Sequence, residues 1–246
     1  MRHKILKKIL GALNYKLIDK NYFKNYRIIA GNSTLNLENF LDLLFKKKIK
    51  NLIQIGANDG ERFDILNKYI KKYKTSSVLI EPIKSNFNDL KKSYKKYNFV
   101  KLENAAISVH NEISYLFKVD EKFLDQYDNH VPGITSFKKE HLLNHGVKKK
   151  HISQEVVNST SLKKIIKKYK FKNLSLLFID TEGYDGKIVL DFLKEKYFNT
   201  VIIFEYIHID NKIFNQVIKR LISSKYKFFP INENLVCLPK NKFFII

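Results

Sequence analysis

Three carboxylates fall within six residues in Asp180-Thr181-Glu182-Gly183-Tyr184-Asp185, directly after the apolar run 174–179. Acids delivered by a buried strand to the carboxyl edge of a sheet suit ligand binding or proton transfer. They equally suit the first turn of a following helix, where Glu182 and Asp185 would meet a positive dipole. Asp180 and Glu182 are candidate proton acceptors. His208, which closes Glu205-Tyr206-Ile207-His208 after a second apolar run at 200–204, is a third. Asp180, Glu182 and Asp185 could instead grip a cation. A calcium loop is excluded because Tyr184 occupies a ligand position, and no residue is assigned as a metal ligand.

A second group of residues reads as a binding edge for a nucleoside. Residues 51–55 form an apolar strand that runs into Gly56-Ala57-Asn58-Asp59-Gly60. Both glycines remove side chains where backbone must approach a ligand, and a helix is expected to start directly after Gly60. The spacing is G-x-x-x-G, which lacks the central glycine of a dinucleotide fingerprint and the Lys-Ser/Thr of a P-loop. A nucleoside-bearing ligand without a pyrophosphate therefore fits. Residues 77–80 make the next strand and end in Glu81-Pro82, at the distance where a ribose-binding carboxylate is expected. An acid at an open sheet edge should matter for affinity and little for stability. Asn104-Ala105-Ala106 follows a third strand, and its small residues suit either a flat aromatic base or tight packing.

The elements that must position these residues alternate between strand and helix from Asn51 onwards, which predicts an α/β domain with a parallel sheet covered on both faces. Helices are expected at about 61–73, 85–97 and 210–223. Another begins at Thr160 or Ser161, and an antiparallel hairpin ends the pattern at 227–231 and 235–238. An edge strand at about 113–119 precedes an irregular stretch with Pro132-Gly133, in which Gly133-Ile134-Thr135-Ser136-Phe137 reads as a lid or substrate-binding segment. A short helix near 138–144 and a short strand near 156–157 complete this insertion. Residues 1–48 read as a basic leader and a lead-in helix, and 49–246 as the ligand-binding domain.

The net charge is +22, but it is carried by lysine, with only Arg2, Arg27, Arg62 and Arg220 as arginines. The guanidinium forks that read phosphates and guanine edges are scarce, so a nucleic-acid partner is disfavoured. Cys237 is the only cysteine, which excludes a disulfide or a cysteine metal cluster and suits a reducing cytoplasm. Apolar runs are all shorter than the ~18 residues of a membrane span. Residues 4–18 form a basic amphipathic pattern that fits packing on the domain or peripheral contact with an anionic membrane.

The ordered set Ile53-Gln54-Ile55-Gly56-Ala57-Asn58-Asp59-Gly60, Ile80-Glu81-Pro82, Asn104-Ala105-Ala106-Ile107, Gly133-Ile134-Thr135-Ser136-Phe137, Ile179 to Asp185 and Phe204-Glu205 resembles the FkbM family of S-adenosylmethionine-dependent methyltransferases. The resemblance covers about 51–209. It implies a Rossmann-like class I methyltransferase fold, a seven-stranded sheet whose last strand is antiparallel. It implies S-adenosyl-L-methionine as cofactor and methyl transfer to a hydroxyl of a sugar, glycan or other small molecule. Gly56, Ala57, Asn58, Asp59 and Gly60 would contact the amino-acid part of the cofactor. Glu81 and Pro82 would hold the ribose, and Asn104 and Ala105 would border the adenine. Gln54 departs from the aspartate that many such proteins carry there.

Overall fold

The computed structural model describes residues 36–240 except 48, 63, 110–113, 129–130 and 196–198. The amphipathic segment 4–18, and with it the membrane expectation, lies outside the described residues. Among those described, no helix is long and apolar enough to cross a membrane.

Seven strands make the main sheet: β1 (Asn51–Ile55), β2 (Ser76–Ile80), β3 (Val100–Glu103), β8 (Leu176–Ile179), β9 (Val201–Glu205), β10 (Tyr226–Ile231) and β11 (Asn234–Pro239). Their order is β10-β11-β9-β8-β1-β2-β3. Neighbours are parallel from β3 across to β9, whereas β11 runs antiparallel to both β9 and β10. This is the class I arrangement that the resemblance implies. The order reverses between β1 and β8, so the strand ends diverge there and leave a crevice at the carboxyl edge.

The two faces of the sheet bury separate apolar layers. One is built on Ile53, Ile55, Ile80, Ile179 and Phe204 with the helices Asp185–Phe192 and Asn211–Ser223. The other is built on Leu52, Leu79, Phe178 and Ile203 with Leu37–Lys46 and Asn67–Tyr73. Alternate residues of one strand thus serve opposite layers, as period-2 side chains must. Nearly every position of β1, β2, β8 and β9 is buried, which is why these strands read as continuous apolar runs. The lead-in helix Leu37–Lys46 buries Leu41, Leu44 and Phe45 in the second layer.

The sequence places the elements well, with one instructive exception. The helix expected from residue 61 begins only at Asn67. Asp59 Oδ1 accepts from the amides of Glu61 and Arg62, and Asp64 Oδ1 accepts from that of Leu66, so residues 59–66 turn before they can coil. The helix therefore does not follow directly on Gly60. Ser161 is the N-cap of the helix Leu162–Lys168, its Oγ accepting from the Lys164 amide.

The insertion adds a small sheet to the domain. β5 (Ser114–Val119) and β6 (Ile152–Val157) form a two-stranded antiparallel sheet. Its loops carry 3-10 turns at Glu121–Gln126 and Val131–Gly133 and the short helix Lys139–Asn144. Val119, Val131, Ile134 and Leu142 give it a small apolar centre.

Candidate active site

The residues that follow β1, β2, β8 and β9 surround a cavity of about 610 Å³, a volume typical of small-molecule sites. At one end, the turn after β1 folds onto β2, with the Gly56 and Ala57 amides donating to Ile80 O. A Cβ on Gly56 would lie 1.8 Å from the carbonyl oxygen of Asp180, and Gly56 has φ +84°. Glycine is thus required for β1 to pass β8, before any ligand is considered. The same test gives Gly60 a packing role, since its Cβ would meet Leu90 Cδ1 at 2.5 Å and Tyr94 at 2.9 Å.

Glu81 is only 4% exposed. Its two carboxylate oxygens accept from the amides of Asn58 (3.0 Å) and Ile83 (2.9 Å). It therefore ties the β1 turn, with Asn58 at φ +48°, to the end of β2. Burial pushes its pKa up to about 7 against the opposing pull of those amides. The expectation that Glu81 matters little for stability is corrected: removing it leaves two amides without acceptors. Each oxygen keeps a lone pair for a ribose hydroxyl.

The structure brings most of the expected binding residues to the cavity wall. Gly56, Ala57, Asn58, Glu81, Pro82 and Ala105 line it. Asp59, Gly60 and Asn104 stand behind the wall. Asp59 pairs with Arg62 Nε at 2.6 Å, and Asn104 Nδ2 donates to the carbonyls of Glu81 and Pro82 at 2.9 Å. One residue missed in the sequence joins them. Asp64, half-buried with its pKa raised by desolvation, accepts from Gln54 Nε2 at 2.9 Å and lines the cavity beside it. The carboxylate that Gln54 lacks is thus present ten residues later.

The other end of the cavity is acidic and histidine-rich. Asp180, Glu182 and His208 all line it, together with Glu205, Glu233 and His145. Asp180 is exposed at the strand end, where it borders the cavity. Its pKa rises to about 8, first from desolvation and then from the Asp185 and Glu182 carboxylates. Glu205 rises to about 9 for the same reasons, and its Oε2 is buried without a hydrogen-bond partner. Burial lowers the pKa of His208, and the neighbouring His141 lowers it further.

Asp185 is fully buried and spends its carboxylate on the turn, accepting from the amides of Thr181 and Gly183 (both 3.2 Å) and from Thr181 Oγ1 (2.8 Å). It is therefore not available to grip a cation with Asp180 and Glu182. It holds Glu182 at φ +53° and Gly183 at φ +99°. A left-handed glutamate is costly, and such strain collects at sites where a side chain must be aimed.

The insertion closes this end. Ser136 Oγ donates to Glu182 O at 3.0 Å, the Phe137 ring packs 4.6 Å from that of Tyr184, and His141 Nε2 lies 2.8 Å from Glu182 Oε2. Gly133 approaches Asn58 so closely that a Cβ would sit 3.1 Å from Asn58 Nδ2. The segment 133–137 thus spans from the β1 turn to the β8 turn. His141 and His145 were missed, although their i, i+4 spacing on an expected helix was a legible signal.

Residues 54–228 match the family model for the methyltransferase FkbM domain. The chain belongs to this family. No curated protein matches the chain. Among solved structures, it is similar to an FkbM methyltransferase from Methylobacillus flagellatus, with 12% identity over 77% of this chain and 43% of that one, at a TM-score of 0.45. The chain thus spans less than half the length of that relative. It is also similar to the methyltransferase PaMTH1 of Podospora anserina (10% identity, 81% and 76% covered, TM-score 0.42). A third is a TehB-like S-adenosylmethionine-dependent methyltransferase of Corynebacterium glutamicum (10%, 90% and 97%, 0.42).

Membership of the FkbM family makes S-adenosyl-L-methionine the cofactor, and the residues present fit it. Gln54 Oε1 is buried with no hydrogen-bond partner, an acceptor suited to an ammonium. The cavity is lined by six carboxyl groups, of Asp64, Glu81, Asp180, Glu182, Glu205 and Glu233, against one arginine, Arg62, and no lysine among the described residues, although the chain carries +22. A site of that sign attracts a cationic ligand.

Proposed function

We propose that this FkbM methyltransferase methylates a hydroxyl oxygen of a small-molecule or glycan acceptor. The observation that carries the reading is one cavity with two chemically distinct ends, one lined by the glycine turn, Gln54 and Glu81 and the other by Asp180, Glu182, Glu205, His145 and His208. When bound, the cofactor supplies a methyl group made electrophilic by its sulfonium. Glu81 holds the ribose hydroxyls, Ala105 borders the adenine, and Gln54 with Asp64 accepts from the ammonium. Asp180, at the strand end between the two halves, accepts the hydroxyl proton as the acceptor oxygen is alkylated. Segment 133–137 covers both halves and limits water. Glu182, Glu205 and Glu233 offer acceptors for further hydroxyls, a donor-rich chemistry that sugars supply. A polyanion such as RNA would meet the same acids unfavourably, which argues against nucleic acid despite the basic surface.

Calorimetric titration of S-adenosylmethionine and S-adenosylhomocysteine into the full chain tests the cofactor end. A screen of sugars and glycans for methyl transfer, read by mass spectrometry, tests the other. Transfer to hydroxylated acceptors supports the reading. Transfer to RNA or protein alone, with none to hydroxylated small molecules, overturns it.

A further inference from the structure

We infer that His141, His145, Glu182 and His208 form a binding site for a divalent transition-metal ion, with zinc as its simplest occupant, in the wall of the acceptor end. Donor atoms of all four lie within 4.8 Å of one another. His141 Nε2 is 2.8 Å and His208 Nε2 is 4.0 Å from the same Glu182 oxygen. The three imidazoles also touch one another, with ring centroids 4.6 Å apart for His141–His145 and His141–His208 and 5.1 Å for His145–His208. Around a tetrahedral zinc with bonds of about 2.0 to 2.1 Å, neighbouring ligand atoms stand roughly 3.3 Å apart, so side-chain rotations of about 1 Å close the shell.

The chemistry of the set selects the metal. Three imidazole nitrogens and one carboxylate suit zinc, iron, cobalt or nickel, whereas magnesium and calcium require oxygen donors. Glu205 Oε1 lies 3.7 Å from His208 Nε2 and places a further oxygen donor beside the site.

The fold builds this cluster from three separate pieces. His141 and His145 stand one helical turn apart at the Lys139–Asn144 helix and its cap. Glu182 is aimed by the strained turn that Asp185 holds and is fastened through Ser136. Gly183 lets that turn approach the backbone of His208, where a Cβ would already stand 3.0 Å from His208 O. His145, Glu182 and His208 face the cavity, so a bound ion could present a coordination position to an acceptor oxygen there. That role toward the acceptor rests on the methyl-transfer reading above; the binding of the ion does not.

The test uses the untagged full chain, stripped with a chelator and titrated with Zn²⁺. The expected result is one zinc per chain by elemental analysis. Co²⁺ should give the visible bands of a four- or five-coordinate ion, and excess Mg²⁺ should not compete. His141→Ala and His145→Ala should each weaken zinc binding at least tenfold. Should either variant fail to fold, wild-type protein decides: zinc should protect His141, His145 and His208 from diethylpyrocarbonate, mapped by mass spectrometry. The inference is overturned if the folded chain takes up no stoichiometric zinc, if both variants bind it as tightly as wild type, or if the three histidines react equally with and without it. S-adenosylhomocysteine titrated into the stripped protein separates the two readings. Its binding without zinc uptake removes the metal site alone, and zinc uptake without its binding removes the methyl-transfer reading alone.

Discussion

The two ends of the cavity are built differently. The cofactor end is made by consecutive residues: Gly56 to Asn58 on one turn, Glu81-Pro82 on the next, each fixed by backbone hydrogen bonds to the neighbouring strand. The acceptor end is made by side chains that meet across the chain, with His141 reaching 41 residues to Glu182 and Ser136 reaching 46. A shared cofactor needs one backbone shape. Variable acceptors are matched by changing an insertion while the sheet stays the same.

If that division of labour holds, the largest effect should come from Asp180→Asn. Methyl transfer should fall by about 10² to 10⁴ while cofactor affinity changes little, because a positioned base assists only the chemical step. Equal losses in rate and affinity would move Asp180 to the cofactor end.

Gly56→Ala should injure both ends together, since its Cβ would collide with the Asp180 carbonyl at a left-handed φ. Overpacking and backbone strain combine to about 3 kcal/mol or more, a melting temperature lower by roughly 6 to 12 °C. A melt within two degrees or so of wild type would show that β1 and β8 are not clamped here.

Glu81 sharpens the comparison through a pair of variants. Alanine should lose cofactor affinity at least tenfold and also about 2 to 3 kcal/mol of stability, because two amides lose their acceptor. Glutamine keeps one acceptor, so it should retain most of the stability but not the affinity. Calorimetry beside melts of the ligand-free proteins distinguishes the two losses, and an unchanged melt for alanine would contradict the observed burial.

The same residue gives a pH dependence. The folded pKa of about 7 lies above the ordinary glutamate value of 4.5, so the folded state binds more protons between those values. Its contribution is fully present below the unfolded pKa and is lost as pH rises through the folded one. The ligand-free protein should therefore melt several degrees lower at pH 8 than at pH 5 on this account, and Glu81→Gln should flatten that slope. A slope identical in the variant would assign it to other groups.

The smallest effect is expected from Ser136→Ala, which removes one bond to the Glu182 carbonyl, worth about 1 kcal/mol. It should raise the KM for the acceptor and leave cofactor affinity unchanged. A loss confined to cofactor affinity would mean that the two ends are not separately built.

Much of the fold is legible in the sequence because the information is local. Strands buried on both faces must be continuous apolar runs, and the order of runs and helices fixes a parallel sheet. Gly56, Glu81 and Asp180 are visible as candidate site residues because each stands directly after such a run, where the sheet edge opens. The late start of the helix at Asn67 is harder to see, because Asp59 and Asp64 compete for backbone amides in a way that periodicity does not register.

The sequence by itself determined the topology, the cofactor edge and the acidic turn after β8, since each follows from residues within one turn or strand of one another. The tertiary structure alone decided that Glu81 is a buried clamp, that Asp185 serves the turn, that Asp64 accepts from Gln54, and that His141 and His145 meet Glu182 and His208. Those facts depend on which distant segments the insertion and the sheet bring together, and side-chain pairing across 40 residues leaves no period in the chain.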